Sequence, residues 1–316
     1  MDLTTALHDV KKNVDHELQH FFTTKHSEAK NIHPQTIQLV DQIADLTSRG
    51  GKRTRAFLVW LGHQSVIPAH AGIQRNTWIP DRVGDDNVLS AMMGIELFQS
   101  FALIHDDIID EDAMRRGSPT VHEKFKQVAL DSGNPLDSRN RMGSSRFGES
   151  MAILAGDLAL AWADELMNRA VNSGNPKDSR NWSSVWVNYQ KMKQEVILGQ
   201  SLDVLASAGL PSADRATINR YKTAWYSVVR PLQIGASIAG SDEKTLESFV
   251  PYGLAVGEAY QLRDDFLDGE VGEDAFRTQA KKLGKQTAQA TQAIHASVGM
   301  GALLTDFASF ALNRQA

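Results

Sequence analysis

Apolar residues recur along this chain at spacings of three and four. Leu3, Leu7, Val10, Val14 and Leu18 form one such stripe, which predicts an amphipathic helix from the first residues onward. The same period runs through Ile37, Val40 and Ile43 and then across Phe57 to Leu61. It returns in Val88 to Ile109, Met151 to Ala170, Val185 to Ala206, Ile218 to Ala239 and Phe249 to Leu267. A last helical pattern runs from about Ala275 to Leu312. Alternating, strand-like runs are rare, and only nine prolines punctuate the chain. The pattern predicts an all-α fold of about ten or more helices. No linker interrupts it, so residues 1–316 read as a single domain.

Three segments lack a period. His63 to Asn87 holds Pro68, Pro80, two glycines and an isolated Trp78. Ser132–Asn140 reads SGNPLDSRN and Ser173–Asn181 reads SGNPKDSRN, a short repeat without repeated apolar spacing around it. Gly, Asn, Pro, Asp and Ser are turn formers, so these stretches read as loop insertions near 63–87, 131–147 and 172–182.

Composition narrows the function classes. A hydrophobic share of 42% is enough for a sizeable core and argues against disorder. The formal net charge of −5 is the wrong sign for a dedicated nucleic-acid binder. The absence of cysteine excludes disulfides, thiolate metal sites and a cysteine nucleophile, and it suits a reducing cytosol. The charged N-terminus does not read as a signal peptide, and no stretch looks like the ~20 apolar residues of a membrane span. The chain therefore reads as soluble and cytoplasmic.

Two acidic clusters then stand out. Asp106-Asp107-Ile108-Ile109-Asp110 and Asp264-Asp265-Phe266-Leu267-Asp268 both have the form D-D-x-x-D at the end of an apolar helical run. Asp106 and Asp110 share a helix face, as do Asp264 and Asp268. Like charges at that spacing destabilise a helix unless a cation lies between them. Oxygen donors without His or Cys suit a hard ion such as Mg²⁺, which bridges one or two carboxylates to substrate phosphates. Basic groups able to hold phosphates are also present: Gly50-Gly51-Lys52-Arg53-Thr54-Arg55, Arg115-Arg116 and Lys222-Thr223.

These residues, in this order, resemble a known family. GGKRTR (50–55), ELFQSFALIHDDIIDEDAMRRGSPTVH (96–122), GQSLD (199–203), YKTAWY (221–226) and YQLRDDFLD (260–268) look like a trans-isoprenyl diphosphate synthase of the polyprenyl synthetase family, over Lys30 to Asp268. The resemblance implies the isoprenoid synthase fold, helices packed around a deep apolar cavity with both aspartate motifs at its mouth. It implies Mg²⁺, as three ions, on Asp106 and Asp110 with Asp107 in support, and on Asp264 with Asp265 and Asp268 nearby. Arg115 would contact an allylic diphosphate, while Lys52, Arg55, Gln99 and Arg116 would hold isopentenyl diphosphate. Lys222, Thr223 and Gln261 would line the allylic diphosphate, with Gln200 and Asp203 as further candidates. The implied reaction joins the two substrates head to tail, and the implied assembly is a homodimer.

The family also carries a floor that limits product length, just before the first motif. Phe101 with small Ala102 points to a short product, C20 or C15. After Asp268 the family continues with a basic closing loop, whereas this chain reads Gly269-Glu270-Val271-Gly272-Glu273-Asp274. Lys281, Lys282 and Lys285 are the cations available to replace that loop. Two other readings follow: a non-catalytic subunit of a heteromeric synthase, which would have lost the Asp, Lys and Arg sets, and a terpene cyclase, which needs no Gly-Gly-Lys-Arg-x-Arg motif. An unrelated metal-carboxylate bundle would want Glu-x-x-His pairs among the acidic clusters.

Overall fold

The computed structural model describes residues 1–66, 85–131, 143–172 and 179–313. Helices α1 (Leu3–Ile32), α2 (Ile37–Ser48), α3 (Thr54–Val66) and α4 (Asp85–Ile109) come first. A two-residue hairpin follows, β1 (Met114–Arg115) and β2 (Ser118–Pro119). Then come α5 (Val121–Asp131), α6 (Ser144–Asn172), α7 (Ser179–Ser207) and the short α8 (Arg215–Asn219). A π-helical segment, Arg220–Val229, leads into α9 (Arg230–Ile238), α10 (Glu243–Leu267), α11 (Glu273–Ala293) and α12 (Val298–Asn313). The all-α prediction holds, and every apolar stripe named above lies on a helix.

Four details differ from the sequence expectation. Helix α5 was not foreseen, because Val121, His122 and Phe125 give it only a short buried edge. The run from Ile218 to Ala239 is not one helix but α8, the π segment and α9. The last pattern breaks between α11 and α12, where His295 adopts a left-handed φ of 53°. Helix α4 is also apolar enough to cross a membrane by length and composition, contrary to the expectation that no stretch is. Its window over Asp86–Ile109 is 72% buried, as in the core helix of a folded protein. The edges of the three irregular segments are helical, in α3, α4, α6 and α7. Trp78 and most of the two SGNP copies lie outside the described residues.

The described residues fall into two compact units. One comprises Lys11–Thr54 and Met93–Asn168. Its core is built by Val14, Leu18 and Phe22 of α1, Val40 and Ile43 of α2, Phe98 and Ile104 of α4, and Phe125 of α5. Trp162 of α6 meets Phe21 and Phe22 edge-on, with ring centroids 5.9 and 6.2 Å away.

The other unit comprises Met1–Val10, Arg55–Met92 and Arg169–Ala316. Phe57 of α3 stacks on Phe307 of α12 at 5.5 Å. Tyr252 of α10 is fully buried and donates to the Leu304 carbonyl at 2.7 Å. Arg230 is buried and satisfied by Glu195, by Asn188 at 2.9 Å and by Gln233 at 2.8 Å, with the Trp225 ring 4.5 Å away. A buried charge is tolerable only with such a complete partner set.

Candidate active site

In the first unit the site is built from the end of α4. Gln99, Ala102, Leu103 and Asp106 are half-buried and Asp110 is exposed. At about 100° per residue these positions share one stripe of the helix. Phe98, Phe101, Ile104 and Asp107 lie on the other side and are buried. The stripe therefore carries two carboxylates at its end and small or neutral side chains below them.

Asp107 does not join Asp106. It is 1% exposed, and one carboxylate oxygen accepts from Nε of Arg115. The other, Oδ2, is buried without a hydrogen-bond partner among the described residues. Burial pushes the Asp107 carboxyl up to about 6, against the pull of the Arg115 guanidinium. Arg115 also donates from Nη2 to Asp112 at 3.1 Å, and neither contact uses Nη1. The hairpin that carries it pairs Met114 with Pro119 and Arg115 with Ser118.

The glycine turn between α2 and α3 is held from inside. Gly50 and Arg53 take left-handed φ values of 65° and 52°. Arg53 is 4% exposed and donates to Asp15 at 2.7 Å, Glu96 at 3.1 Å and the Thr47 carbonyl at 2.7 Å. Within the basic motif it is thus a buried brace, while Lys52 is exposed. Arg116 reaches the carbonyls of Leu46 at 3.3 Å and Arg49 at 2.6 Å, tying the hairpin to the same turn.

Phe101 sits in an aromatic column, 5.2 Å from Phe98 and 4.8 Å from His105. Five residues before Asp106 is about 140° away around a helix, so Phe101 is not beneath the aspartates. Ala102, four residues before, is.

In the second unit the candidate residues cluster on the π segment and α10. Lys222 pairs with Asp203 of α7 at 2.6 Å, and Thr223 is half-buried beside it. Arg55 donates to Ser227 at 2.8 Å and lies over the Tyr226 ring at 4.5 Å. Its Nε is buried without a hydrogen-bond partner among the described residues, as is Nε2 of Gln200. Gln261 donates to Asp265 at 2.7 Å, which also faces Arg215 at 3.7 Å. Asp264 is half-buried, and Asp268 is exposed at the C-cap of α10. Lys281, Lys282 and Lys285 are exposed on α11. Of the three, Lys282 lines a cavity of about 340 Å³ with Gln261, Asp265 and Arg220.

The π segment was invisible to the 3.6-residue period. Its wider turn is closed by bonds such as Arg230 N–H to the Trp225 carbonyl, five residues back. Pro231 follows and offers no N–H to an α-helical ladder, the one signal that the sequence carried. Close glycine contacts clamp the segment. A Cβ at Gly257 of α10 would meet Ala224 Cβ at 2.3 Å, and one at Gly199 of α7 would meet the backbone nitrogen of Lys222 at 2.9 Å. Single π turns inside helices recur at functional sites because they re-aim side chains.

The donor set fits Mg²⁺. Each acidic motif offers only carboxylate oxygens, two on a shared face. Among the described residues no three His, Cys, Asp or Glu form a closed cage. A hard ion that keeps its waters and takes its remaining ligands from phosphate needs no such cage.

A family model described as polyprenyl synthetase matches residues 37–298. A geranylfarnesyl diphosphate synthase of Natronomonas pharaonis is 32% identical over 245 residues, 76% of this chain. A short chain isoprenyl diphosphate synthase of Methanocaldococcus jannaschii is 30% identical over 236 residues, 75% of this chain. The chain spans 61% and 57% of the lengths of these two relatives. Among solved structures, a geranylgeranyl pyrophosphate synthase from Corynebacterium glutamicum, complexed with isoprenyl diphosphate and magnesium, is similar with a TM-score of 0.75. It is 26% identical, with all of both chains covered.

Proposed function

Because the chain belongs to the polyprenyl synthetase family, we propose that it is a prenyltransferase joining isopentenyl diphosphate to an allylic diphosphate, head to tail. The product in this reading is a short-chain C20 or C15 isoprenyl diphosphate. The observation that carries it is the α4 stripe, where Asp106 and Asp110 cap a run of Gln99, Ala102 and Leu103 that is uncharged and only half-buried. A diphosphate held at the carboxylate end would leave its hydrocarbon tail along that run.

The residues divide by task. Asp106 and Asp110, and separately Asp264 with Asp265 and Asp268, would hold Mg²⁺, three ions in all. When bound, these ions offset the charge of the departing diphosphate. Arg115, locked by Asp107, presents Nη1 to phosphate oxygens, and Lys222 adds a second cation. Both favour the negative charge that grows on the leaving oxygen as the allylic C–O bond breaks. Thr223 and Gln261 line the same substrate, with Gln200 and Asp203 behind them. Lys52, Arg55, Gln99 and Arg116 would hold isopentenyl diphosphate so that its double bond meets the allylic cation, which removes much of the entropic barrier. The proton lost afterwards goes to the released diphosphate. Apolar walls keep water from the cation. Ala102, and Phe101 through its aromatic column, would set where the tail stops.

We place the protein in the cytosol as a homodimer; the lack of cysteine and the habits of the family support this. The test is incubation with isopentenyl diphosphate, each allylic primer and Mg²⁺, with chromatographic sizing of the products. Elongated product is expected from at least one primer. No consumption of isopentenyl diphosphate with any primer would overturn the reading.

A further inference from the structure

Helix α1 carries a motif that the prenyltransfer reading does not use. Residues His16-Glu17-Leu18-Gln19-His20 read H-E-x-x-H, the spacing that sets two imidazoles on one face of a helix. Leu18 is 2% exposed in the core, while His16 and His20 are exposed. The pair therefore sits on the outer face of a helix whose inner face is anchored by Val14, Leu18 and Phe21.

The geometry is that of a chelate. The two Nε2 atoms are 3.3 Å apart. An ion bound tetrahedrally at about 2.0–2.1 Å from each nitrogen requires them roughly 3.3–3.4 Å apart. The rings are nearly perpendicular, at 86°, and their centroids are 4.6 Å apart. Glu17 Oε1 lies 3.9 Å from His16 Nε2, which places a carboxylate beside the bound cation. In the ion-free protein one N–H shared between the two nitrogens accounts for the same distance, and an ion would replace that proton.

We infer that His16 and His20 form a binding site for a borderline divalent transition ion, Zn²⁺ above all. Imidazole nitrogen selects such ions, whereas Mg²⁺ prefers the all-oxygen carboxylates. Among the described residues no third His, Cys, Asp or Glu completes a cluster, so water fills the remaining positions and the ion exchanges with solvent. The same lack separates the site from a hydrolytic zinc centre, which holds its ion with three protein ligands. The ion joins two successive turns, so its binding stiffens α1. Because the site stands outside the proposed chemistry, the prenyltransfer reading can fail without touching it.

The test is isothermal titration of the full chain with ZnCl₂ in buffer containing excess Mg²⁺, which occupies the carboxylate motifs. A saturable one-to-one isotherm is expected. His16→Gln and His20→Gln should each weaken it by about tenfold or more, roughly 1.4 kcal/mol. His33→Gln, off this face, should leave it unchanged. Zn²⁺ should also raise the melting temperature of the wild type but not of His20→Gln. Absence of saturable Zn²⁺ binding, or binding that survives both substitutions, would overturn the assignment.

Discussion

Replacing Asp107 by Asn tests whether this residue is a metal ligand or a buried strut. Its carboxyl is 1% exposed and is pushed from 3.8 up to about 6 by burial. For an acid whose folded value is raised, the favourable contribution is complete below 3.8 and is lost as pH rises through 6. Near pH 7.5 the ionised carboxylate therefore costs the fold about 3 kcal/mol, at roughly 1.36 kcal/mol per unit. Asn keeps the shape and an oxygen for Arg115 but carries no charge. With an unfolding entropy of about 2.1 cal/mol/K per residue, 3 kcal/mol over this chain is a rise of about 4–5 °C. The assay is thermal unfolding of both proteins in EDTA from pH 4 to 8. Asn should gain stability at pH 7.5, and the gain should shrink toward pH 4. Activity should fall nonetheless, as a higher KM for the allylic diphosphate, because Arg115 loses the charge that aligns it. A pH-independent difference, or an Asn variant less stable at pH 7.5, would refute the reasoning.

Asp106→Ala should abolish Mg²⁺-dependent turnover while leaving the far-ultraviolet circular dichroism unchanged; wild-type rates would remove Asp106 from the metal site. Phe101→Ala should lengthen the product, read by chromatography. Unchanged products with a stability loss of about 3 kcal/mol would make Phe101 part of the core alone. Gly257→Ala should lower both melting temperature and kcat, since its Cβ would strike Ala224 of the π segment at 2.3 Å. Gly284→Ala, with nothing within 4 Å, should lower neither. Burial holds the His63 imidazole down at about 4, below its usual 6.5. Its contribution is therefore present above 6.5 and is lost as pH falls through 4, about 3 kcal/mol in all. His63→Gln should flatten acid unfolding over that window, as followed by circular dichroism.

Much of this protein is written locally. Leu3 to Leu18 names the inner face of α1, and the paired Asp106 and Asp110 name the outer face of α4, because both depend only on angles around one helix axis. The four-residue spacing even places Asp107 off the Asp106 face, although the D-D-x-x-D form invites reading all three together. The His16–Glu17–His20 pattern was equally open to inspection, yet only the 3.3 Å separation makes it a chelate.

Other features depend on which neighbour a face meets. Arg53 looked like one more cation in a basic motif. It is a brace because Asp15, 38 residues earlier, and Glu96, 43 residues later, close around it. Lys222 and Thr223 lie on a π-helical turn because Gly199 and Gly257 let two other helices press against it and Pro231 denies it an N–H. Periodicity along a chain encodes the direction in which a side chain leaves its own helix. Burial, partner and charge state at the end of that side chain come from packing between distant segments, and those only the tertiary structure decides.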